Sequence, residues 1–251
     1  MTSVAVLEHI VIVTPLGVQL RDDATRSDVS DGLTATVYPA GQPERRSDGF
    51  PNPSGIFAFH NLADGSYVLE VRDRFGRYLP YRRAIEIPQH GVQTFPLFSS
   101  VARAVPAGMT AFRAELRDAG GGPAAWALVE ATAGEQRVMT GMADERGRVL
   151  VPLLYPKPVI TLGSPATPKT PLTSQSWAVD ITIRYRRRDP FPTIPDLADI
   201  LSQPPAAAFL PTSPATPWTR GTLRFGRELV PETGGGEAMP ALLIQPAGSP
   251  P

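Results

Sequence analysis

The sequence predicts an all-β chain: two β-sandwich domains in tandem, followed by an extended, proline-rich C-terminal arm. Three observations carry this. Short runs with a period of two recur through the first 190 positions, separated by turn residues. The chain has 29 prolines and 22 glycines in 251 residues, and proline at more than twice its usual share of roughly 5% disfavours helix interiors and central strands. The order of features in the first half of the chain returns in the second.

In the first copy, Gly17-Val-Gln-Leu-Arg-Asp22 reads as an opening strand. Val29 to Pro39 follows, with its alternating segment Leu33-Thr-Ala-Thr-Val-Tyr38, after the turn Ser30-Asp31-Gly32. Next come Gly55-Ile-Phe-Ala-Phe59 and, after Asp64-Gly65, the strand Tyr67-Val-Leu-Glu-Val71, then Ile85-Glu-Ile87. The second copy starts at Phe112 to Asp118. It continues through Trp126-Ala-Leu-Val129 and Val149-Leu-Val151 to Trp177–Tyr185. In that last run Trp177, Val179, Ile181, Ile183 and Tyr185 share one face, as a half-buried strand requires. The loop before it, Tyr155 to Ser176, is long for a compact domain and reads as an interface element. These divisions place the domains at 1–104 and 105–188, with the arm at 189–251.

Within the arm, Asp196-Leu-Ala-Asp-Ile-Leu201 reads as a short helix capped by Asp196. Thr222-Leu-Arg-Phe225 and Ala241-Leu-Leu-Ile244, separated by Gly234-Gly-Gly236, read as either a terminal hairpin or two separate β-additions. So short a segment has too little core of its own. Its apolar anchors Trp218, Leu223, Phe225, Leu242, Leu243 and Ile244 must bury on the sandwiches or on a partner chain, and they are the candidate partner-docking residues.

Thr25, Val29 and Gly32, then Tyr38-Pro39, Gly55-Ile-Phe-Ala-Phe59, and Leu62, Gly65, Tyr67, Leu69 and Val71 resemble the carboxypeptidase regulatory-like (transthyretin-like) β-sandwich family. The second copy matches more weakly, lacking the Gly-x-Tyr turn before Trp177. The resemblance implies a scaffold or binding module without catalytic residues. Pro123-Ala-Ala-Trp-Ala127, Thr140 to Arg148, Asp196 to Pro204, Leu223-Arg-Phe-Gly226 and Leu242-Leu-Ile244 further resemble proteins of this type encoded with phage-tail-like contractile injection systems. That resemblance implies a cap, collar or baseplate-associated subunit.

Motifs that carry chemistry are missing. No cysteine is present, which excludes disulfides, thiolate metal sites and cysteine nucleophiles. His9, His60 and His90 fall in no metal-binding spacing, and no nucleophile elbow, Walker loop or dinucleotide turn occurs. Asp22, Asp23, Asp28 and Asp31 cluster near one turn, where they suit side-chain-to-backbone bonds better than calcium. Lys+Arg and Asp+Glu both number 24, so the basic excess of a nucleic-acid binder is absent. The one dense basic run, Arg184, Arg186, Arg187 and Arg188, reads as a solvated strand end rather than a phosphate site. Trp126, Trp177 and Trp218 read as core residues rather than a carbohydrate-stacking surface.

Acidic Glu8 precedes the apolar run Ile10-Val-Ile-Val13 without a basic flank, so no secretory leader is expected and the chain is placed in the cytoplasm. No stretch is apolar enough to insert in a membrane. The expected function is that of a non-catalytic structural or adaptor subunit without cofactor or metal. Its expected partners are other subunits of a large assembly or further copies of itself. A glycan-binding sandwich is the alternative.

Overall fold

The computed structural model describes residues 14–89, 91–157 and 174–246. His9, His90, the run Ile10–Val13 and most of the loop between Tyr155 and Ser176 lie outside them. Half the chain is strand and 3% is helical, which makes the fold all-β.

The first half of the chain builds eight strands: β1 (Leu16–Asp22), β2 (Leu33–Pro39), β3 (Ser47–Asp48), β4 (Phe50–Pro51), β5 (Ile56–Phe59), β6 (Gly65–Asp73), β7 (Tyr81–Ile87) and β8 (Val92–Leu97). They form two four-stranded sheets, ordered β4-β5-β1-β8 and β3-β2-β6-β7. Alternation decides the inward faces. Leu16, Val18 and Leu20 of β1 and Tyr67, Leu69 and Val71 of β6 meet Phe57, Phe59 and Phe98 in one core between the sheets.

The second half supplies β9 (Met109–Asp118), β10 (Leu128–Ala133), β11 (Met139–Met142), β12 (Arg148–Leu154), β13 (Ser176–Arg184), α1 (Leu197–Leu201), β14 (Pro205–Leu210), β15 (Thr216–Pro217), β16 (Arg220–Arg224) and β17 (Ala241–Pro246). Here a single sheet runs β11-β10-β13-β14-β17-β9-β12, with β15 paired to β14 and β16 to β13. The sheet rolls until its two ends touch. A Cβ at Gly141 of β11 would stand 2.7 Å from Val151 Cγ2 and 3.0 Å from Leu150 O on β12, so only glycine permits that approach.

The pairing pattern of the two halves is the same. β1 lies antiparallel to β5 and parallel to β8; β9 lies antiparallel to β12 and parallel to β17. β2 pairs with β3 and β6, and β6 with β7; β10 pairs with β11 and β13, and β13 with β14. The repeat visible in the sequence therefore extends to two further strands, β14 and β17, both drawn from the segment expected as an arm.

That segment is extended and proline-bearing as expected, and the correction concerns where it goes. β17 lies in the middle of the rolled sheet, antiparallel to β14 and parallel to β9, while β16 lies along β13. The two apolar runs are separate β-additions, not a hairpin. The physical reason is burial: two half-sheets, β11-β10-β13 and β9-β12, need strands between them to seal one core.

The two cores also touch. Trp126, which the pattern places on a strand, sits just before β10 at φ 63°, fully buried against the first core. Its indole Nε1 donates to Pro192 O at 2.8 Å, and Gln203 Nε2 donates to Trp126 O at 2.9 Å. α1 follows the cap expected for it, with Asp196 accepting from the N–H groups of Ala198 and Asp199. Leu197 and Ile200 of α1 bury in the first core, and Arg82 N on β7 donates to Pro195 O at 2.8 Å. On the opposite side Thr140 N donates to Asp23 Oδ2 at 3.2 Å and Arg137 to the carbonyls of Asp23 and Ala24.

Candidate partner-docking surface

The six apolar anchors find their partners inside the chain. Leu223, Leu242 and Ile244 are wholly buried in the second core. Trp218 is 6% exposed, stacked on Phe112 at a centroid distance of 5.9 Å and 18° between planes. Leu243 is half-buried, in register with Phe209 of β14. Phe225 is also half-buried and packs on Tyr155 at 5.0 Å, which in turn meets Trp177 at 5.9 Å. The first of the two fates expected for these residues, burial on the sandwiches, is the one observed.

The charged clusters are likewise satisfied internally. Arg184 pairs with Glu130 at 3.5 Å, Arg187 with Asp118 at 3.4 Å, and Arg186 and Arg188 both with Asp199 of α1 at 2.8 and 2.7 Å. No phosphate is needed to explain that run. The four aspartates diverge: Asp22 is held by Arg103, Thr25 and Ala24 N, Asp28 by Arg21 and Gln19, and Asp23 by Thr140 N, while Asp31 is exposed beside Arg77 at 4.0 Å. Among the described residues no group of three or more His, Asp or Glu is placed to hold a metal ion. His60 is exposed and bonded to Thr14. Among the described residues no helix is long and apolar enough to cross a membrane.

Two of the three tryptophans, Trp126 and Trp218, are core residues, so no flat tryptophan face is offered to a sugar. Trp177, expected in the core as well, is half-buried at its rim beside Tyr155.

The first sandwich carries an open seam that sequence reasoning missed. In the second sandwich the seam between the two halves of the sheet is closed by the β14–β17 ladder, Ala206↔Pro246 to Phe209↔Leu243. The corresponding strands of the first, β7 and β8, are sheet edges that do not pair with each other. Between them runs a cleft of about 250 Å³ lined by Arg83, Ala84, Ile85, Glu86, Gln89, Gln93 and Phe95. Val92, the first residue of β8, is 46% exposed. Because Arg82 N points outward to Pro195 O, the backbone groups of Ala84 and Glu86 face outward too. One end of this edge thus already accepts an extended segment of the chain itself. The signal available in the sequence was slight: the alternation of β8 is blurred by Thr94 and Pro96.

Taken together, this is an all-β sandwich protein whose described residues assemble edges and cores rather than a catalytic cluster. No protein-family model matches the chain, and no curated protein does. Among solved structures it is similar to the Bacillus anthracis TIE protein, at 12% identity over 82% of this chain and 41% of that one, with a TM-score of 0.27. It is also similar to the shaft pilin SpaA from Lactobacillus rhamnosus GG, at 8% identity over 94% and 99% of the two chains, TM-score 0.25. A putative adhesin from Bacteroides ovatus gives 11% identity over 93% and 94%, TM-score 0.24. The chain spans less than half of the first of these. The likeness to pilins and an adhesin contradicts the cytoplasmic location expected from the sequence. TM-scores this low support no further inference.

Proposed function

We propose that the chain is a non-catalytic structural subunit, built of two sandwich units over about 14–104 and 105–246, that joins a larger protein assembly. The observation that carries this reading is the contrast between two sandwiches of one topology, one with its seam bonded shut and one with its seam open. Unpaired sheet edges are the ordinary acceptors of partner strands. The open seam takes the docking role first assigned to Trp218, Leu223, Phe225, Leu242, Leu243 and Ile244. The finer reading, a cap, collar or baseplate-associated subunit of a contractile injection system, is supported by the sequence resemblance alone.

The test is sedimentation of the purified chain across a range of concentrations, alone and mixed with sheath, tube and baseplate proteins. Self-association or co-sedimentation is expected. It should disappear in the double variant Ala84→Pro, Val92→Lys, which removes an outward N–H from β7 and charges the exposed start of β8 without touching the core. A chain that stays monomeric and binds none of these proteins would refute the assembly role.

A further inference from the structure

We propose that β17 is exchangeable between copies of the chain: the C-terminal strand of one molecule can fill the slot between β9 and β14 of another. This extends the assembly reading above and rests on it, and the two can fail separately. The slot is defined on both sides, by the parallel ladder Ala241↔Glu115 to Ile244↔Asp118 and the antiparallel ladder Ala206↔Pro246 to Phe209↔Leu243. Leu242 and Ile244 fill it with no exposure at all. A second copy carries an identical strand, so the slot's fit to it is guaranteed by chemistry, and only the tether decides whether exchange occurs.

The tether is where the two repeats differ. β8, the counterpart of β17, is joined to β7 by residues 88–91 and is held in its own sandwich. β17 hangs from Leu229, which is bonded to β9, through residues 231–240, and of these Pro240 O also accepts from Glu115 N of β9. Extended, these ten residues reach roughly 33 Å. Most of this stretch is exposed, and before Pro240 it bonds to itself: Thr233 N donates to Glu237 O, Gly236 N to Thr233 O and Met239 N to Pro231 O. Releasing β17 breaks its own ladders, the Glu115 N–Pro240 O bond, the Arg224–Glu232 ion pair and this small loop, and uncovers Leu242 and Ile244; an identical strand from a second copy restores each of these in the slot. Pro231 and Pro240 bias Val230 and Met239 toward extended backbone at both ends of the tether. That is the conformation a crossing strand requires.

The cysteine-free chain gives a clean readout. Ala207 and Gln245 are directly paired on β14 and β17, and opposed residues of an antiparallel pair stand within disulfide reach. The full chain carrying Ala207→Cys and Gln245→Cys is oxidised at several concentrations, then sized under denaturing, non-reducing conditions and by sedimentation. Exchange predicts covalent dimers or larger rings that reduction dissolves, with a dimer-to-monomer ratio rising about tenfold for each tenfold rise in concentration while dimers are scarce. Deleting Gly234–Gly236, which tightens the loop, should raise that ratio further. Should the first pair fail to oxidise, Glu115→Cys with Ala241→Cys reads the other edge of the same strand. Disulfides that close only within one chain, at every concentration and in the shortened loop, overturn the proposal. If such a sample still sediments as an oligomer, exchange is wrong and assembly through other surfaces stands.

Discussion

Asp22 is 1% exposed at the end of β1, and its carboxylate is met by the Arg103 guanidinium, the Thr25 hydroxyl and Ala24 N. Burial pushes its pKa up, but the bonds from Arg103 and Thr25, the Arg103 charge and the Ala24 N–H outweigh it and hold the carboxyl below its ordinary value. Glu70 is also depressed, as burial is outweighed by Arg72 and Arg46, and so is Asp73, where Arg77 and the N–H groups of Phe75 and Arg77 outweigh it. Because the folded values lie below the unfolded ones, the stability these groups contribute is present above the unfolded pKa of about 4 and is lost as the pH falls through the folded values. The Arg103 side chain is only 11% exposed, so Asp22→Asn leaves a buried cation uncompensated and should cost about 3–5 kcal/mol at neutral pH. Urea unfolding at pH 7 and pH 3 checks this: the gap between the two proteins should shrink in acid, where the carboxyl of the unfolded chain takes up a proton before the native one does. An equal gap at both values would show that the pair is not what stabilises this turn.

At the scale of elements, legibility followed the strength of the pattern. Trp177–Tyr185 alternates over its whole length, and β13 buries Val179, Ile181 and Ile183 as that alternation requires. Asp196 announced α1 because a side-chain acceptor before an apolar pair is a local signal. β14 was not legible. Its burial rests on Ala206, Ala208 and Leu210, and alanines flanked by prolines show little contrast between the two faces. Trp126 was misplaced because a run as short as Trp126–Val129 does not say where the strand begins. The cap can be weighed directly. Asp196→Ala frees two backbone N–H groups and should cost about 1 kcal/mol. Since Leu197 and Ile200 lie in the first core while Gln203 grips Trp126, thermal unfolding should show the loss in one transition rather than in a separate early melting of α1. A separate early melting would mean that the helix is a dispensable appendage.

For the whole molecule, the β-sandwich class and the repeat were readable from order and period, but the destination of the last sixty residues was not. The apolar anchors showed that the segment must bury. They carried no information on which surface, because registers between strands more than a hundred residues apart, such as Leu242 with Leu116, are absent from local pattern. The consequence is testable. A chain ending at residue 188 lacks β14 to β17 and leaves Phe112, Leu116 and Val179 without their cover. It should be poorly soluble, bind a hydrophobic dye and lose its second sandwich by hydrogen exchange. A well-folded, monomeric product of that length would show that the segment is an addition rather than part of the fold.

The position of β17 also sets an order in time. It follows every other strand of its sheet in sequence and lies in the middle of that sheet, so the rolled sheet cannot close before Ala241–Pro246 have been made. The first sandwich has all its strands by Leu97, before Trp126, Leu197 and Ile200 join its core, and can begin to fold early. The second must wait with two unsealed edges until β17 emerges. During that interval, neighbouring nascent chains offer one another the same vacant slot.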